Sequence, residues 1–306
     1  MIVAVVNADD FGLSPSINEG IARSYENGIL RSASLMPNGE GFADAVDRIK
    51  DLPGLGVGIH LSLVGERAIA PPGELRSLVS DDGWLPASYA DFTRAYYSRK
   101  FALRELRREI EAQIARVLDA GIRPTHLDSH QHIHLLPGVF GLSLELAKAG
   151  RIGVVRAACD RSIPAVFRSR RGLQLGILRV LSALARARVR NRGLRCAGSF
   201  HGLAVSGHLN TPALCEILSG LKDGVHEIMC HPGRETPALR RRYGWGYEWE
   251  AEAEALRSAA VKELVERRGI RLRNFDEAWR DEPSQDLGKK YRAGRESEKT
   301  EDPMKV

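Results

Sequence analysis

The chain has 306 residues, of which 43% are hydrophobic and 27% charged, with a formal net charge of +6. This composition is typical of a soluble globular protein. The start lacks the basic region and apolar length of a signal peptide, and no run approaches the roughly 18 apolar residues of a membrane span. We therefore expect a cytoplasmic protein with neither a leader nor a membrane-spanning helix.

Short strand-like runs alternate with helix-like runs along the chain. The predicted strands are residues 2–7, 33–36, 57–63, 125–130, 153–157, 200–203, 226–230 and 270–272. The predicted helices are residues 16–27, 42–50, 103–120, 139–148, 211–219 and 251–267. Residues 64–100 are rich in turn signals and are predicted as a long loop. This alternation favours a mostly parallel α/β sheet of seven or eight strands, closed or nearly closed into a barrel, with a doubly wound sheet as the alternative.

The last 26 residues differ sharply from the rest of the chain. Half of the residues in 281–306 are charged and almost none are apolar. Such a segment cannot bury enough apolar surface to fold, so we expect a disordered tail. The predicted single domain therefore spans residues 1–280.

Polar residues cluster where the predicted strands end. The first strand runs into Asp9 and Asp10, and the third carries His60. The fourth continues as "DSHQHIH", in which Asp128, His130, His132 and His134 would share one side of an extended segment. A late strand ends in His231. Parallel α/β folds place their sites at the carboxyl ends of strands, so these side chains are expected at one mouth.

Two adjacent carboxylates at a buried strand end require compensation, because close negative charges repel and desolvation is costly. A divalent cation held by Asp10, His60 and His130 would supply it, since one carboxylate and two imidazoles make a common metal shell. Asp9 would then stay ionised as a general base. His132 or His134 could replace His130. Alternatively, His60 is a hydrogen-bonded core histidine.

Four segments resemble the YdjC-like carbohydrate deacetylases. They are "NADDFGLSPSINEGI", "GVGIHLSL", "HLDSHQHIHLLP" and "EIMCHPG", which occur in the family's order between residues 7 and 233. The resemblance implies a distorted TIM-like (β/α) barrel and metal-dependent removal of acetyl from N-acetylated amino sugars. It also implies Asp9 as base, Asp10, His60 and His130 as ligands of one ion, and His231 as a catalytic histidine near the leaving amine.

The resemblance leaves several points open. The ion could be Zn²⁺ or Mg²⁺, with Mn²⁺ and Co²⁺ as further candidates. The substrate could be a free N-acetylglucosamine oligosaccharide or a lipid-linked one, and residues 202–232 look more like the branch associated with hopanoid biosynthesis. His231 could instead cap the turn before Pro232. Both a monomer and a homodimer are compatible with the sequence.

Further side chains are candidate substrate contacts. Trp245 and Tyr247 lie in "RRYGWGYEWE", just after the strand of His231, and could stack on a sugar ring. Arg156, at the end of the 153–157 strand, could bind a sugar hydroxyl or pair with Asp160. His132 is a further candidate contact.

Residues 161–200 are basic and contain no acidic residue. On a helix, Leu173, Ile177, Leu181 and Leu184 would share one face and Arg179, Arg186 and Arg190 the other. Such a helix could dock reversibly on an anionic membrane from the cytoplasmic side, or be an ordinary outer helix. Because no aromatic residues are interleaved with these arginines, nucleic-acid binding is not expected.

Two other functions remain as alternatives. An amidohydrolase-type metallohydrolase acting on another amide or a phosphoester usually opens with HxH on its first strand, where this chain has Asp9-Asp10. A non-catalytic sugar- or lipid-binding barrel would not need the complete set of polar residues described above.

Overall fold

The computed structural model describes residues 1–157 and 170–280, with the backbone alone over residues 170–179. The predicted tail over 281–306, the basic residues 161–169 and the suggested partner Asp160 lie outside these residues.

The core of the fold is a parallel β-sheet. Its seven strands are β1 (Ile2–Phe11), β2 (Ser32–Leu35), β3 (Gly56–Leu61), β4 (Leu127–Ser129), β5 (Ser199–His201), β6 (Gly224–Cys230) and β7 (Arg271–Leu272) among the described residues. They follow the order β4-β3-β2-β1-β6-β5, and the short β7 pairs with β1. Every pairing between these strands is parallel.

The sheet curls because single bridges extend it beyond β4. Leu127 forms a parallel bridge with Val155, and Val154 forms one with Arg195, just before β5. Through these two bridges, backbone pairing continues from β4 across residues 154–155 to Arg195, close to the β5 edge of the sheet. The predicted distorted barrel of mostly parallel strands is therefore confirmed. The predicted strand at 153–157 is reduced to these bridges.

Helices surround the sheet. They are α1 (Pro15–Glu26), α2 (Phe42–Ile49), α3 (Tyr89–Tyr97), α4 (Leu103–Asp119), α5 (Val139–Ala149), α6 (Arg170–Asn191), α7 (Thr211–Gly220), α8 (Pro237–Arg242), α9 (Trp249–Arg257) and α10 (Ala259–Arg267). The starts of α1, α7 and α8 share one local signal: a capping side chain followed by proline at the first turn. Ser14, Asn210 and Thr236 accept the otherwise unpaired N–H groups there. Residues 3–11 of β1 are all buried, so the sheet forms the centre of the core.

The segment predicted as a loop at 64–100 contains the helix α3. Ser88 caps it by accepting from the Asp91 N–H at 3.1 Å, and Phe92 is fully buried. The turn residues at 71–86 obscured this short helix, whose stability comes from tertiary burial of Phe92 rather than from propensity.

The helix predicted at 251–267 is two helices, α9 and α10, separated at Ser258. Ser258 is extended (φ −58°, ψ 135°). The Leu256 carbonyl accepts from the Ile29 N–H at 3.0 Å, so the last turn of α9 is bonded to the loop between α1 and β2. A contact distant in sequence therefore interrupts an otherwise helical pattern.

Of the apolar face predicted for α6, Leu173 and Ile177 lie outside the described side chains, Leu181 is half-buried and Leu184 is exposed. Ser182, Ala185 and Val189 are buried, whereas Val180 and Leu184 are exposed. The face that packs on the barrel thus carries small residues, and two branched apolar side chains point to solvent. None of the helices in the described part of the chain combines the length and the apolar character needed to cross a bilayer.

Candidate active site

The candidate site lies at the carboxyl ends of β1, β3, β4 and β6. Asp9 and Asp10 lie near the end of β1, and His60 is near the end of β3. His130 follows β4 directly, and His231 follows β6. Because these strands are parallel members of one curled sheet, the segments meet at one edge, as the sequence predicts.

A bulge lets both carboxylates of β1 face the site. Successive side chains of a regular strand point to opposite faces. Here the β1–β2 register shifts between Ala8 and Phe11, and Asp10 adopts a left-handed φ of 65°. The break in alternation leaves oxygens of both Asp9 and Asp10 close to His60.

Asp10, His60 and His130 form a compact group of candidate metal ligands. One ligand atom from each lies within 4.8 Å of the others. The Asp10 Oδ1 atom is 2.9 Å from His130 Nδ1 and 3.3 Å from His60 Nε2. Burial raises the pKa of Asp10, but His130 and His60 outweigh burial and hold this pKa well below its ordinary value.

The donor set fits a divalent cation. The Asp10 Oδ2 atom is buried and has no hydrogen-bond partner among the described residues. A buried, unpaired carboxylate oxygen is costly, and a cation would compensate it. Two imidazoles and one carboxylate suit Zn²⁺ and related divalent ions.

Asp128 orients His60 from below. The His60 Nδ1 atom is 2.8 Å from Asp128 Oδ1, which leaves Nε2 turned toward Asp10. A carboxylate behind a histidine in this way fixes the ring and the position of its proton. Burial lowers the pKa of His60, but the charges of Asp128 and Asp9 prevail and raise this pKa to about 10.

Arg156 joins three carboxylates beneath the candidate metal group. Its guanidinium donates to both oxygens of Asp9 at 2.6 and 2.7 Å, to Asp128 at 2.8 Å and to Glu227 at 2.6 Å. The side chain has no exposed surface. The predicted substrate contact by Arg156 does not fit this position, because its donors are directed at carboxylates. Arg156 instead fixes the orientation of Asp9.

Glu227 is the least compensated member of this network. It lies in β6 and is fully buried beside Asp9 and Asp128. Burial and the two neighbouring carboxylates outweigh the attraction of Arg156 and raise the pKa of Glu227 to about 7. One guanidinium cation is thus shared among three acids.

The histidine-rich segment after β4 is not extended. It forms a 3₁₀ turn over His130–Leu135 in which Gln131 and His132 have left-handed φ values of 53° and 55°. The prediction that its acidic and histidine side chains share one face is therefore wrong. Only His130 joins Asp10 and His60 among the described residues.

His134 and His132 lie outside the candidate metal group and make other contacts. His134 Nδ1 is 2.6 Å from Ser129 Oγ, and its Nε2 is 3.0 Å from the Arg156 carbonyl, so it ties the turn to the chain beneath. His132 packs edge-on against Phe200 with ring centroids 5.7 Å apart. Burial lowers the pKa of His132 well below its ordinary value. This position beside Phe200 provides no support for the predicted substrate contact by His132.

His231 lies on the β6 side of the same edge. Its backbone N–H donates to Glu252 Oε2, and its Nδ1 is 4.0 Å from the same oxygen. Glu252 is buried on α9 and also accepts from the Leu209 N–H at 3.1 Å. The segment carrying His231 is therefore held in place by a buried carboxylate.

Aromatic side chains stand between His130 and His231. The Trp245 ring is 5.2 Å from the His130 ring, and the Tyr247 ring is 4.9 Å from the His231 ring. Trp245 and Tyr247 are 5.5 Å apart and half-buried. Trp249 is fully buried and packs as a helix-start residue. The structure thus brings the two predicted aromatic residues beside the histidines of the site.

Sequence reasoning missed the supporting carboxylates. Glu227 lies inside the "EIMCHPG" segment, and its position on a buried parallel strand is the signal that identifies it as a paired charge. Asp128 had no role of its own in the prediction. Glu252 lies in a helix with many acidic residues, and nothing in the sequence distinguishes it from its exposed neighbours.

Comparison with known proteins agrees with the resemblance seen in the four segments. A chitooligosaccharide deacetylase of Citrobacter koseri is 32% identical over 281 residues, covering 89% of this chain and 97% of that protein. A carbohydrate deacetylase of Clostridium beijerinckii is 29% identical over 274 residues, covering 89% and 98%. A crystal structure described as a putative cellobiose-phosphate cleavage protein from Enterococcus faecalis superimposes with a TM-score of 0.71 at 26% identity, covering 90% of this chain and 98% of that one. The family of YdjC-like proteins matches residues 3–267, and the chain belongs to this family.

Proposed function

We propose that the protein is a metal-dependent hydrolase that removes the acetyl group from an N-acetylated amino sugar of the N-acetylglucosamine type. The observation that carries the proposal is the convergence of Asp10, His60 and His130 next to Asp9, with His231 at the end of the neighbouring strand β6. The names of the relatives supply the acetylated carbohydrate as the substrate class.

Asp10, His60 and His130 would hold the ion in this proposal. A divalent cation supplies Lewis-acid chemistry, polarising an amide carbonyl and making water more acidic. Asp9 accepts the proton from the attacking water. Arg156 aligns both of its oxygens. Oδ1 also accepts from the Asn7 side-chain amide at 2.9 Å, so Oδ2 is the oxygen that retains a lone pair for this proton.

His231 delivers a proton to the departing amine nitrogen. An amine is a poor leaving group unless it is protonated as the C–N bond breaks. His231 is 7% exposed and lies beside Tyr247, so it borders the mouth without being freely hydrated. The overall reaction consumes one water molecule and releases acetate and the free amino sugar.

The ion and the anchoring of the substrate are the finer parts of the proposal. Nitrogen and oxygen donors together favour Zn²⁺, with Mg²⁺, Mn²⁺ and Co²⁺ as alternatives. The sugar is free or lipid-linked, as in a glycosylated hopanoid. For a lipid-linked substrate, the exposed Val180 and Leu184 on the basic helix α6 favour peripheral contact with an anionic membrane. We also propose that residues 1–280 act as one domain.

The proposal is tested by acetate release. The metal-free protein is supplied in turn with Zn²⁺, Mg²⁺, Mn²⁺ or Co²⁺ and assayed on N-acetylglucosamine glycosides, both free and vesicle-borne. Acetate and a free amine should appear in equal amounts with at least one ion. Failure to release acetate from any of these substrates with every ion would contradict the proposal.

A further inference from the structure

A groove of about 260 Å³ opens beside His130. It is walled by the loop over residues 64–87 on one side and by residues 242–245 on the other. Its floor is apolar, formed by Leu13, Met36 and Val64. The volume lies below the roughly 300–1,000 Å³ of pockets for drug-sized ligands. The groove therefore has room for one small group next to the candidate metal site.

The wall formed by residues 64–87 is held rigidly. Arg67 and Trp84 form an antiparallel bridge, and the Leu85 N–H donates to the Glu66 carbonyl at 3.0 Å. Behind this ribbon, Glu109 of α4 accepts from the Ala70 N–H at 2.9 Å. The groove is thus a preformed feature and not a gap between mobile loops.

One end of the groove carries a buried acid. Glu66 is 4% exposed and accepts from the Tyr243 hydroxyl at 2.7 Å and from the Arg242 guanidinium at 2.9 Å. Each of its oxygens retains a second lone pair. Arg242 also pairs with Glu40 and remains partly exposed. Donors and acceptors for hydroxyl groups therefore lie side by side.

Aromatic faces flank the same space. Trp84 is 38% exposed, although tryptophan side chains are on average highly buried in folded proteins. The guanidinium carbon of Arg67 lies over the Trp84 ring, 5.3 Å from the ring centroid. On the other wall, Trp245 packs between Tyr243 and His130, at 4.8 and 5.2 Å from their rings. Flat apolar faces near paired polar groups match a ring or chain that has C–H groups on one side and hydroxyls on the other.

We propose that this groove binds the group joined through the glycosidic bond to the N-acetylated sugar, and that this group carries hydroxyls. This inference rests on the proposed function, because a sugar that reacts at His130 and the other candidate ligands would lie beside the groove. The shared chemistry is vicinal hydroxyls on a short carbon frame, supplied either by a second pyranose ring or by a linear polyol. Trp84 and Glu66 are then specificity-determining residues.

A purely apolar chain does not suit the groove. An alkyl group there would remove water from the buried Glu66 and the Arg242 guanidinium without replacing its hydrogen bonds, which is unfavourable. The groove therefore discriminates by the polarity of the attached group and not only by its size.

The test compares attached groups on the metal-loaded enzyme. Four substrates are assayed for acetate release: the methyl glycoside of N-acetylglucosamine, its β-1,4 dimer, the borohydride-reduced dimer with a linear polyol end, and the octyl glycoside. We expect kcat/KM for the dimer to exceed that for the methyl glycoside by about tenfold, and the octyl glycoside to show no gain. A gain for the reduced dimer as well identifies a linear polyol as sufficient, and a gain for the dimer alone identifies the pyranose ring.

Variants then assign the gain to the groove. Trp84→Ala and Glu66→Gln should each bring the dimer-to-methyl ratio of kcat/KM close to one, and Trp84→Phe should restore most of it. Tyr97→Ala is the control, because Tyr97 is an exposed aromatic residue outside the groove. It should leave the ratio unchanged.

The outcomes separate the two proposals. A wild-type ratio near one, an equal gain with the octyl glycoside, or an unchanged ratio in Trp84→Ala would overturn this inference while acetate release still supports deacetylation. Absence of acetate from all four substrates would instead contradict the proposed function.

Discussion

Three residues with left-handed backbone angles shape the candidate site. Asp10 has a φ of 65°, and Gln131 and His132 have φ values of 53° and 55°. Non-glycine residues in this region are uncommon and store strain of about 1–3 kcal/mol each. At Asp10 the angle allows neighbouring carboxylates to face one histidine. At residues 131–132 it turns the chain just after β4, so that His130 is the histidine of this segment that reaches Asp10.

The two adjacent carboxylates should respond differently to neutral replacement. Asp9→Asn should keep the ion and lower turnover by about 10²–10⁴-fold, because it removes the proton acceptor. Asp10→Asn should lose the ion, because it removes the carboxylate shared by both histidines. Metal content by elemental analysis and kcat from acetate release separate the two effects. The reverse pattern, with the ion lost only in Asp9→Asn, would exchange the roles.

Glu227 should make the metal-free protein less stable as the pH rises. Its ordinary pKa of 4.5 is raised to about 7 in the folded state. Between these values the folded state binds a proton that the unfolded state has released, so the stabilising contribution is complete below 4.5 and is lost as the pH rises through 7. The contribution is of the order of 3 kcal/mol.

The measurement is the difference in unfolding free energy between the wild type and Glu227→Gln. Buried His126 and His134, whose pKa values are lowered to about 4, act in the opposite direction and cancel in this difference. With EDTA present, urea unfolding from pH 4.5 to pH 7.5 should show Glu227→Gln gaining stability relative to the wild type as the pH rises. A difference that is independent of pH would mean that Glu227 titrates normally.

At the scale of elements, α4 holds the long segment after β3. Glu109 is fully buried and accepts from the Ile69 and Ala70 N–H groups, and Glu105 accepts from the Ser77 N–H at 2.8 Å. Gln113 exchanges two hydrogen bonds with the Ser62 backbone. Apolar periodicity predicts this helix, whereas the polar residues on its buried face position a wall of the groove.

Removing one of these carboxylates should loosen the wall locally. Glu109→Ala leaves the half-buried Ile69 N–H and the buried Ala70 N–H without this acceptor, which costs about 1–3 kcal/mol for each group that stays unsatisfied. Amide hydrogen exchange should increase in residues 64–87 more than in β1. Glu111→Ala on the same helix is the matched control, because Glu111 is partly exposed and pairs only with the Arg107 side chain among the described residues, so its loss should cost less than about 0.5 kcal/mol. Equal exchange in both variants would rule out this anchoring role.

The exposed apolar residues of α6 bear on the proposed membrane contact. Val180 and Leu184 are 62% and 57% exposed, with Arg188 and Arg190 exposed nearby. Replacing both Val180 and Leu184 by Gln should reduce sedimentation with vesicles containing anionic phosphatidylglycerol, measured at low salt. The control is Leu118→Gln, which changes an exposed leucine on α4. Absence of vesicle binding by the wild type would leave α6 as an ordinary outer helix.

At the scale of the whole molecule, the site joins segments that are far apart in the chain. Asp10 contacts His130 across 120 positions, and Asp9 contacts Arg156 across 147. Such a group exists only in the folded barrel. A cation that binds there must therefore bind the folded state and stabilise it.

Metal addition should accordingly raise the melting temperature. An ion at 100 times its dissociation constant contributes about 2.7 kcal/mol, which corresponds to roughly 5–10 °C for a domain of this size. Differential scanning fluorimetry of the EDTA-treated protein with added Zn²⁺ should detect this shift. His60→Ala should abolish the shift, whereas His208→Ala, at an exposed histidine, should retain it. An equal shift in both variants would place the bound ion elsewhere.

The sequence by itself determined the parallel α/β class, most of the element positions and the strand ends at which polar side chains meet. These features follow from local patterns: buried apolar runs, helical periodicity and the rule that parallel strands share their carboxyl edge. Asp9, Asp10, His60, His231 and the histidine-rich segment 130–134 could therefore be selected before any coordinates. The short helix α3 and the break at Ser258 could not, because contacts of Phe92 and Ile29 distant in sequence decide them.

Only the tertiary structure decided which histidine joins Asp10 and what surrounds Asp9. If residues 128–134 were extended, their histidines would lie on one face. Left-handed backbone angles at Gln131 and His132 separate them instead. Arg156 has the same sequence signature whether it binds substrate or pairs internally. Its burial among Asp9, Asp128 and Glu227 settles this, because a cation removed from water must be paired with charges that only the folded barrel brings within reach.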